Sequence, residues 1–302
     1  MKQFFKEIII DPLSGKNLVE EKIDNKIVLR SEEKYYHFLE DIPILLPKFE
    51  IPPKSNSAFH SNFNSTFDYA NHYKEDALQF DYFKEEESKA TREEIRRLHQ
   101  SIIKKIPSNA EIILDVGCGK GWVAKHFLNR GKKVVSMDIS PTNPTKVLKE
   151  NPHENHAALV ADAFYLPIRE NSIDTIIASE IIEHVYDPKI FIRKLLEALK
   201  PGGKLIITTP YNEKIEYFLC VHCNKPTPKN AHLHSFNEKN FAYFIPRKTM
   251  YKTESFSNKY IVRSRINLLT AILPFRIWKI VDGFVNSIFK KPLRFLIEIT
   301  KS

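Results

Sequence analysis

The feature that most constrains this chain is the decamer Ile-Ile-Leu-Asp-Val-Gly-Cys-Gly-Lys-Gly at residues 112–121. Its apolar start is typical of a buried strand, and its three glycines form a turn before a helical pattern over about 122–130. A strand, a glycine turn and a helix in this order let the backbone approach a nucleotide-like ligand closely. The G-x-G-x-G spacing differs from the G-x-G-x-x-G fingerprint of dinucleotide-binding proteins, so a nicotinamide cofactor fits less well.

Strand and helix patterns alternate after the decamer. Apolar runs predict strands over 132–137, 158–163, 172–179 and 204–208, with helices over 142–150 and 188–200. Such alternation predicts a parallel sheet covered by helices on both faces. Asp138 ends the second strand, about 20 residues after the glycines, where an acid can accept hydrogen bonds from ribose hydroxyls.

Five segments in this order resemble the class I S-adenosylmethionine-dependent methyltransferases. They are LDVGCGKG at 114–121, Asp138, ADAFYLP at 161–167, ASEIIEHV at 178–185 and LKPGGKLIITTP at 199–210. The resemblance covers roughly residues 90–245. It implies an α/β, Rossmann-like sheet of seven strands that ends in an antiparallel pair, expected over 252–262 and 293–300. The alternative is a Rossmann-like domain without enzymatic activity.

The same resemblance implies which residues bind S-adenosylmethionine. The glycine turn would pass close to the cofactor, Asp115 would lie near its methionine end, Asp138 would hold the ribose, and Asp162 with Ala163 would meet the adenine. Asp115 and Asp162 could instead only cap the turns that follow them. The full predicted cofactor site is Asp115, Gly117, Cys118, Gly119, Gly121, Asp138, Asp162, Ala163, Ser179 and Tyr73, with Cys118 expected mainly to pack.

The segment Glu180-Ile-Ile-Glu183-His184 is a candidate catalytic and metal-binding element. A helix beginning here would place these three polar side chains on one face, where they could bind Mg²⁺ or Mn²⁺. Ubiquinone-pathway O-methyltransferases and small-RNA 2′-O-methyltransferases carry a similar E-x-x-E-H, and in the latter a downstream histidine completes the set. His234 occupies the comparable place here. The alternative is a metal-free pocket in which Glu183, His184 and His234 are catalytic residues.

A second metal site competes for the same histidines. Cys220 and Cys223, with His232 or His234, could bind structural Zn²⁺. The alternative is a pair of free thiols in a long polar loop over 211–235.

The chain outside this domain has two further parts. Residues 1–50 resemble the small zinc-ribbon-like activator module of tRNA methyltransferases, but Asp11-Pro12-Leu13-Ser14 stands where that module often has a C-P-x-C knuckle. We therefore expect a metal-free, β-rich module. Residues 51–90 are expected to form a linker and a lid segment. Residues 51–66 have the composition of a linker, and Tyr69, His72 and Tyr73 in the next segment, 67–83, are expected to close over the cofactor. The methyltransferase domain would then occupy residues 91–302.

Positive charge is concentrated near the C-terminus. The chain has a net charge of +9, and residues 241–302 hold 12 Lys/Arg against Glu254, Asp282 and Glu298. Within the insertion 265–291, an apolar helix face flanked by basic residues predicts contact with a membrane interface. The alternatives are a helix that caps the sheet or a dimer contact. With three cysteines and no secretory signal pattern, we expect a cytoplasmic, membrane-associated protein.

These patterns predict an enzyme that methylates a small or lipid-like acceptor, at oxygen. Methylation of an RNA terminus is a second interpretation, although no RNA-binding pattern with stacking aromatics is evident and nucleic acid is the less favoured partner. A third is a cofactor-binding partner that activates another protein.

Overall fold

The computed structural model describes residues 1–32, 34–47, 69–84, 86–221 and 224–302. Its N-terminal part contains a short helix and four strands: α1 Gln3–Ile8, β1 Val19–Ile23, β2 Lys26–Arg30, β3 Tyr35–Leu39 and β4 Ile42–Leu45. The predicted linker lies largely outside the described residues, and so does Cys223.

The central part begins with two helices and then alternates strands and helices as predicted. Its elements are α2 Tyr69–Gln79, α3 Lys89–Ile103, β5 Ile112–Val116, α4 Trp122–Phe127, β6 Lys133–Asp138, α5 Thr142–Glu150, β7 His156–Ala161, β8 Ile173–Ser179, α6 Pro188–Ala198 and β9 Leu199–Pro210.

The C-terminal part adds a small hairpin, a strand pair and an insertion between the two strands of that pair, which covers 259–291 rather than the predicted 265–291. Its elements are β10 Tyr217–Leu219, β11 Pro226–Pro228, α7 Glu238–Phe241, β12 Met250–Asn258, α8 Lys259–Arg263, α9 Phe275–Ile288 and β13 Pro292–Thr300, with a 3₁₀ segment at Ile266–Ile272.

Seven strands form the expected Rossmann-like sheet, in the order β7-β6-β5-β8-β9-β13-β12. The first five are parallel, and β13 runs antiparallel between β9 and β12. The four N-terminal strands extend the same sheet, because β4 pairs in parallel with β7 through Ile44–Val160 and Leu45–Ala161. The α/β fold is confirmed, but the described sheet has eleven strands rather than seven.

The strand predicted over 252–262 extends too far at its C-terminal end. β12 ends at Asn258, whose side-chain oxygen accepts a hydrogen bond from the backbone N–H of Tyr260 and so caps α8. An asparagine before a helix is a favoured cap because it satisfies an N–H group that has no partner inside the helix. The chain therefore leaves the sheet and enters the insertion at this residue.

Helix α9 is attached to the sheet by two side chains one turn apart. Trp278 is buried beside Phe256, and both carboxylate oxygens of Asp282 accept hydrogen bonds from the backbone N–H groups of Ser257 and Asn258. The predicted apolar face points the other way, and four of its members are between 49% and 73% exposed: Ile277, Ile280, Phe284 and Ile288. This face is therefore not a cap over the core.

Candidate functional site

The site begins at the carboxyl end of β5 with a buried carboxylate. Asp115 is 2% exposed, and its Oδ2 has no hydrogen-bond partner within the described part of the chain. Burial, and next the carboxylate of Asp138, raise the pKa of Asp115 from 3.8 to about 8. A buried carboxylate oxygen without a donor is costly, so the position suits a ligand group that brings N–H bonds or positive charge.

The glycine turn brings this carboxylate close to the next part of the site. A Cβ atom at Gly117 would lie 2.2 Å from Cδ1 of Ile181, and the backbone there has a φ of +70°. The turn after β5 therefore touches the turn after β8 at a position where only glycine fits. Gly119 instead faces open space, and Cys118 is buried among core side chains as expected.

Asp138 closes the loop that follows β6. Its Oδ1 accepts from the backbone N–H of Ser140 at 3.0 Å, and its Oδ2 accepts from Asn143 Nδ2 at 3.1 Å. Burial raises the pKa of Asp138 despite these bonds. The backbone N–H groups of Ile139 and Gly119 also interact with this carboxylate, so it lies among several donors at the mouth of the glycine turn.

Helix α2 is tied to the carboxyl end of β7 through Asp162. This carboxylate accepts hydrogen bonds from the backbone N–H of Phe164 and from the Tyr69 hydroxyl. The Tyr69 ring also packs 5.5 Å from Tyr186 between centroids. Ala163 begins a short 3₁₀ turn, and farther along the sheet Ser179 Oγ bonds Thr208 Oγ1 at 2.9 Å. Part of the hydrogen-bonding capacity of Asp162 is thus already used by the predicted lid segment.

The predicted helix over 180–184 is wrong. Glu180 takes a left-handed backbone conformation, with φ of 57°, and residues 182–184 form a turn. Oε2 of Glu180 accepts a hydrogen bond from Arg294, while Oε1 of Glu180 is buried without a partner among the described residues. A left-handed residue cannot continue a right-handed helix, so the side chains at 180 and 183 point to different partners.

Three side chains come together beside this turn: Glu183, His184 and His232. One ligand atom of each lies within 4.8 Å of the others. His184 Nδ1 contacts the carbonyl of Ala231 at 3.4 Å, and His232 Nδ1 is hydrogen-bonded to the carboxylate of Glu213. Both imidazoles are therefore oriented by their Nδ1 atoms, which leaves their Nε2 atoms for the group.

Burial controls the protonation of this group. It raises the pKa of Glu183 well above its usual range, with a further contribution from the Glu180 carboxylate. It lowers the pKa of His184 to about 4, with a further contribution from His232. Oε2 of Glu183 is buried and has no hydrogen-bond partner in the described residues. At neutral pH the group thus contains a neutral imidazole and a carboxyl that favours a proton or a cation.

Tyr73 reaches the same group from α2. Its ring lies 5.7 Å from the His184 ring in an edge-to-face arrangement, and His72 packs against Tyr73 at 5.0 Å. The aromatic segment expected to close over the cofactor therefore lies over both Asp162 and His184.

Besides Glu180, two more predicted ligands, His234 and Cys220, lie outside the group. His234 is 8% exposed, its Nε2 bonds the carbonyl of Val185 at 2.9 Å, and its ring packs near Phe236 and Phe244. The described residues place His232, not His234, beside Glu183 and His184. Among the same residues, Cys220 joins no group of three ligating side chains.

Sequence reasoning missed Glu213, Glu94 and Arg294. The first follows β9 in the long loop, so its place after a strand end was the available signal. The other two come from α3 and β13, about 200 positions apart, and nothing local in the sequence connects them.

Comparison with known proteins agrees with this geometry. The family described as methyltransferase domain matches residues 114–207. That stretch spans the glycine turn, the acidic strand ends and the turn with Glu183. This part of the chain is a class I S-adenosylmethionine-dependent methyltransferase domain.

Curated relatives match less than half of the chain. A ubiquinone biosynthesis O-methyltransferase of Idiomarina loihiensis is 30% identical over 131 residues, covering 40% of this chain and 53% of that protein. Another, from a Chelativorans species, is 36% identical over 101 residues, covering 32% and 39%. The chain thus spans about half or less of the length of these relatives. A solved structure from Pyrococcus horikoshii shares the fold, with a TM-score of 0.50 and 16% identity over 76% of this chain and 99% of that one.

Proposed function

We propose that the chain transfers a methyl group from S-adenosylmethionine to a hydroxyl oxygen of a small or lipid-like acceptor. The observation that carries this proposal is the group of Glu183, His184 and His232, which follows a turn in contact with the glycine loop through Gly117 and Ile181. Acid–base or metal-binding side chains thereby border the place where this fold binds its cofactor. Relatives named as ubiquinone biosynthesis O-methyltransferases support oxygen as the acceptor atom.

The residues around the glycine turn fit the cofactor. The unsatisfied Oδ2 of Asp115 suits the ammonium of the methionine part, and Asp138, at the end of β6, is the acid that would accept hydrogen bonds from the ribose hydroxyls. Bound S-adenosylmethionine supplies an electrophilic methyl group on a sulfonium. The task of the chain is then to orient the acceptor, exclude water and hold the proton that leaves the hydroxyl.

The three-residue group also fits a divalent cation. Histidines that bind metals usually donate their other N–H to a carboxylate or a carbonyl, and Glu213 and Ala231 supply these two partners here. One carboxylate and two imidazoles suit Mn²⁺ and related ions. Such an ion would lower the pKa of an acceptor hydroxyl, while Glu183, His184 and His232 hold it in place.

We further propose that α9 rests on an anionic membrane surface. Its outward face carries Ile280, Phe284 and Ile288. Arg276 lies in the first turn of the helix, and Lys290 follows its last residue. Apolar side chains bordered by cations complement the interface of an anionic bilayer. Within the described residues, no helix combines the length and the apolar character needed to cross a membrane.

Calorimetry and labelled methyl transfer test the main proposal. We expect the purified chain to bind S-adenosylhomocysteine but not NAD, and to label a hydroxyl-bearing compound in a lipid or small-molecule extract. Label in RNA alone would favour methylation of an RNA terminus. Cofactor binding without turnover on any extract would favour a cofactor-binding partner of another protein.

A further inference from the structure

A basic cavity adjoins the group of Glu183, His184 and His232. It has a volume of about 670 Å³ and opens between two parts of the chain. One wall comes from residues 210–216 and 229–232, which follow β9 and β11. The other comes from α8 and from residues 290–293, at the two ends of the insertion. Neither wall belongs to the glycine turn, so the cavity is distinct from the cofactor site.

The cavity has an excess of positive charge. Six basic residues line it: Lys214, Lys229, Lys259, Arg263, Lys290 and Lys291. Its two carboxylates already have partners, since Glu213 is paired with His232, and Glu216 with Lys229 at 3.2 Å. Within the described part of the chain, the other five cations form no ion pair with a carboxylate. Like charges gathered in a concave surface create a strong positive potential that an anion relieves.

His232 connects the cavity with the reacting group. It lines the cavity and also belongs to the group with Glu183 and His184. An anionic group in the cavity is therefore separated from the reacting site by a single side chain. An acceptor whose charge occupies the cavity would therefore reach the group of Glu183, His184 and His232 on the side of His232.

Exposed apolar side chains come next along the chain after the residues of each cavity wall. Beyond residue 216, the hairpin of β10 and β11 exposes Tyr217, Phe218 and Leu219 by 51% to 62%. Beyond Arg263, the insertion exposes Leu269 by 76% and Ile272 by 88%. A charged cavity with apolar projections on both sides complements an amphiphile better than a fully polar polymer.

We propose that the basic cavity binds the anionic head group, of the phosphate class, of a lipid-like methyl acceptor. This inference rests on the proposed methyltransferase function and names the chemical class of its acceptor. Lys290 and Lys291 at the cavity rim, with Lys259 and Arg263 of α8, neutralise the head group, while the apolar projections contact the hydrocarbon part.

Binding of soluble probes tests the proposal without knowledge of the acceptor. Calorimetry is done with dihexanoyl phosphatidic acid, inorganic pyrophosphate, a short RNA oligonucleotide and S-adenosylhomocysteine. The variants are Lys290→Glu/Lys291→Glu and the milder Lys290→Gln/Lys291→Gln. The control, Lys22→Glu/Lys26→Glu, changes the net charge equally at exposed positions of the N-terminal strands.

We expect wild type and control to bind the short-chain lipid equally, and the Lys290→Glu/Lys291→Glu variant to bind it about tenfold more weakly or worse. S-adenosylhomocysteine binding should be the same in all variants. Tighter binding of the lipid than of pyrophosphate identifies a lipid head group as the source of the anion. Equal binding of the two, tighter binding of RNA, or lipid binding that the cavity variants leave unchanged would overturn the proposal. If the wild type does not bind S-adenosylhomocysteine, the proposed methyltransferase function is refuted instead.

Discussion

Arg294 on β13 donates hydrogen bonds to both carboxylate oxygens of Glu94 on α3, at 2.8 and 2.9 Å. A third donor, Nη1 of the same guanidinium, bonds Glu180 in the turn after β8. One cation therefore joins a helix, the last strand and the turn that precedes Glu183. The arrangement gives Glu180 a structural partner, and Glu183, His184 and His232 remain as the group that we propose holds a cation.

Replacing Arg294 should therefore cost much more stability than replacing an exposed cation. In Arg294→Met, the buried carboxylate of Glu94 and the half-buried carboxylate of Glu180 would remain without their cation. We expect the free energy of unfolding to fall by about 3–5 kcal/mol, as measured by denaturant titration. In the control Lys149→Met, which removes an exposed pair with Glu40, the fall should stay below about 1 kcal/mol. Equal effects of the two substitutions would contradict this role for Arg294.

Asp115 should oppose the stability of the ligand-free protein at neutral and alkaline pH. Folding raises its pKa from 3.8 to about 8, so the native state keeps a proton that the unfolded chain releases. Since the native state binds more protons in this interval, the free energy of unfolding should fall as pH rises from about 4 to 8. Thermal unfolding across this range should show the slope in the wild type and a smaller one in Asp115→Asn.

The same substitution should act in the opposite direction on the cofactor. Asp115→Asn removes the charge that we propose faces the methionine ammonium, and we expect binding of S-adenosylhomocysteine to weaken by about 1.5–3 kcal/mol. A variant more stable without ligand but weaker in binding would identify Asp115 as a carboxylate kept for the cofactor. Unchanged affinity would show that Asp115 only caps its turn.

The sequence predicts the central sheet well because its signals are local. Each parallel strand is an apolar run followed by a turn residue, as at Leu114 to Gly117, and burial on both faces of the sheet requires such runs. The attachment of the N-terminal strands to this sheet is not predicted by any local signal. It depends on the pairing of Ile44 with Val160, more than 100 positions away, and β4 contains no residue that specifies this neighbour.

The site differs from the prediction where the backbone departs from regular geometry. The left-handed conformation of Glu180 separates it from Glu183, although the spacing alone suits a helix face. The same limit explains the choice of histidine. The sequence alone does not distinguish His232 from His234. In the structure, the ring of His234 packs against Phe236 and Phe244 and its Nε2 bonds the carbonyl of Val185, which directs it away from the group.

Divalent-ion binding should depend on His232 and not on His234. We expect Glu183→Gln and His232→Gln to weaken Mn²⁺ binding, measured by electron paramagnetic resonance, by at least about tenfold. The matched control is His234→Gln, which alters a histidine two residues away whose Nε2 already bonds Val185. If chelator-treated protein methylates its acceptor at full rate and no variant changes Mn²⁺ binding, Glu183 and His184 act by proton transfer without an ion.

Two aromatic residues of α9 allow its structural and membrane roles to be separated. Trp278 is 5% exposed and packs against Phe256, whereas Phe284 is 66% exposed on the opposite face. Trp278→Ala should lower the free energy of unfolding by about 3–5 kcal/mol, because it leaves a cavity beneath the helix. Phe284→Asp should change it by less than about 0.5 kcal/mol, because the side chain has little burial to lose.

The two substitutions should affect vesicle binding in the reverse order, with the larger effect from Phe284→Asp. Burial of apolar surface in the bilayer contributes about 25 cal/mol per Å², and an aspartate at position 284 would also repel anionic lipid. We therefore expect the wild type to co-sediment with phosphatidylcholine vesicles that contain phosphatidylglycerol, less so at high salt, and Phe284→Asp to remain in solution. A melting temperature close to that of the wild type would show that the variant is folded. Equal pelleting of both proteins would instead mean that the exposed face of α9 has another partner, such as a second copy of the chain.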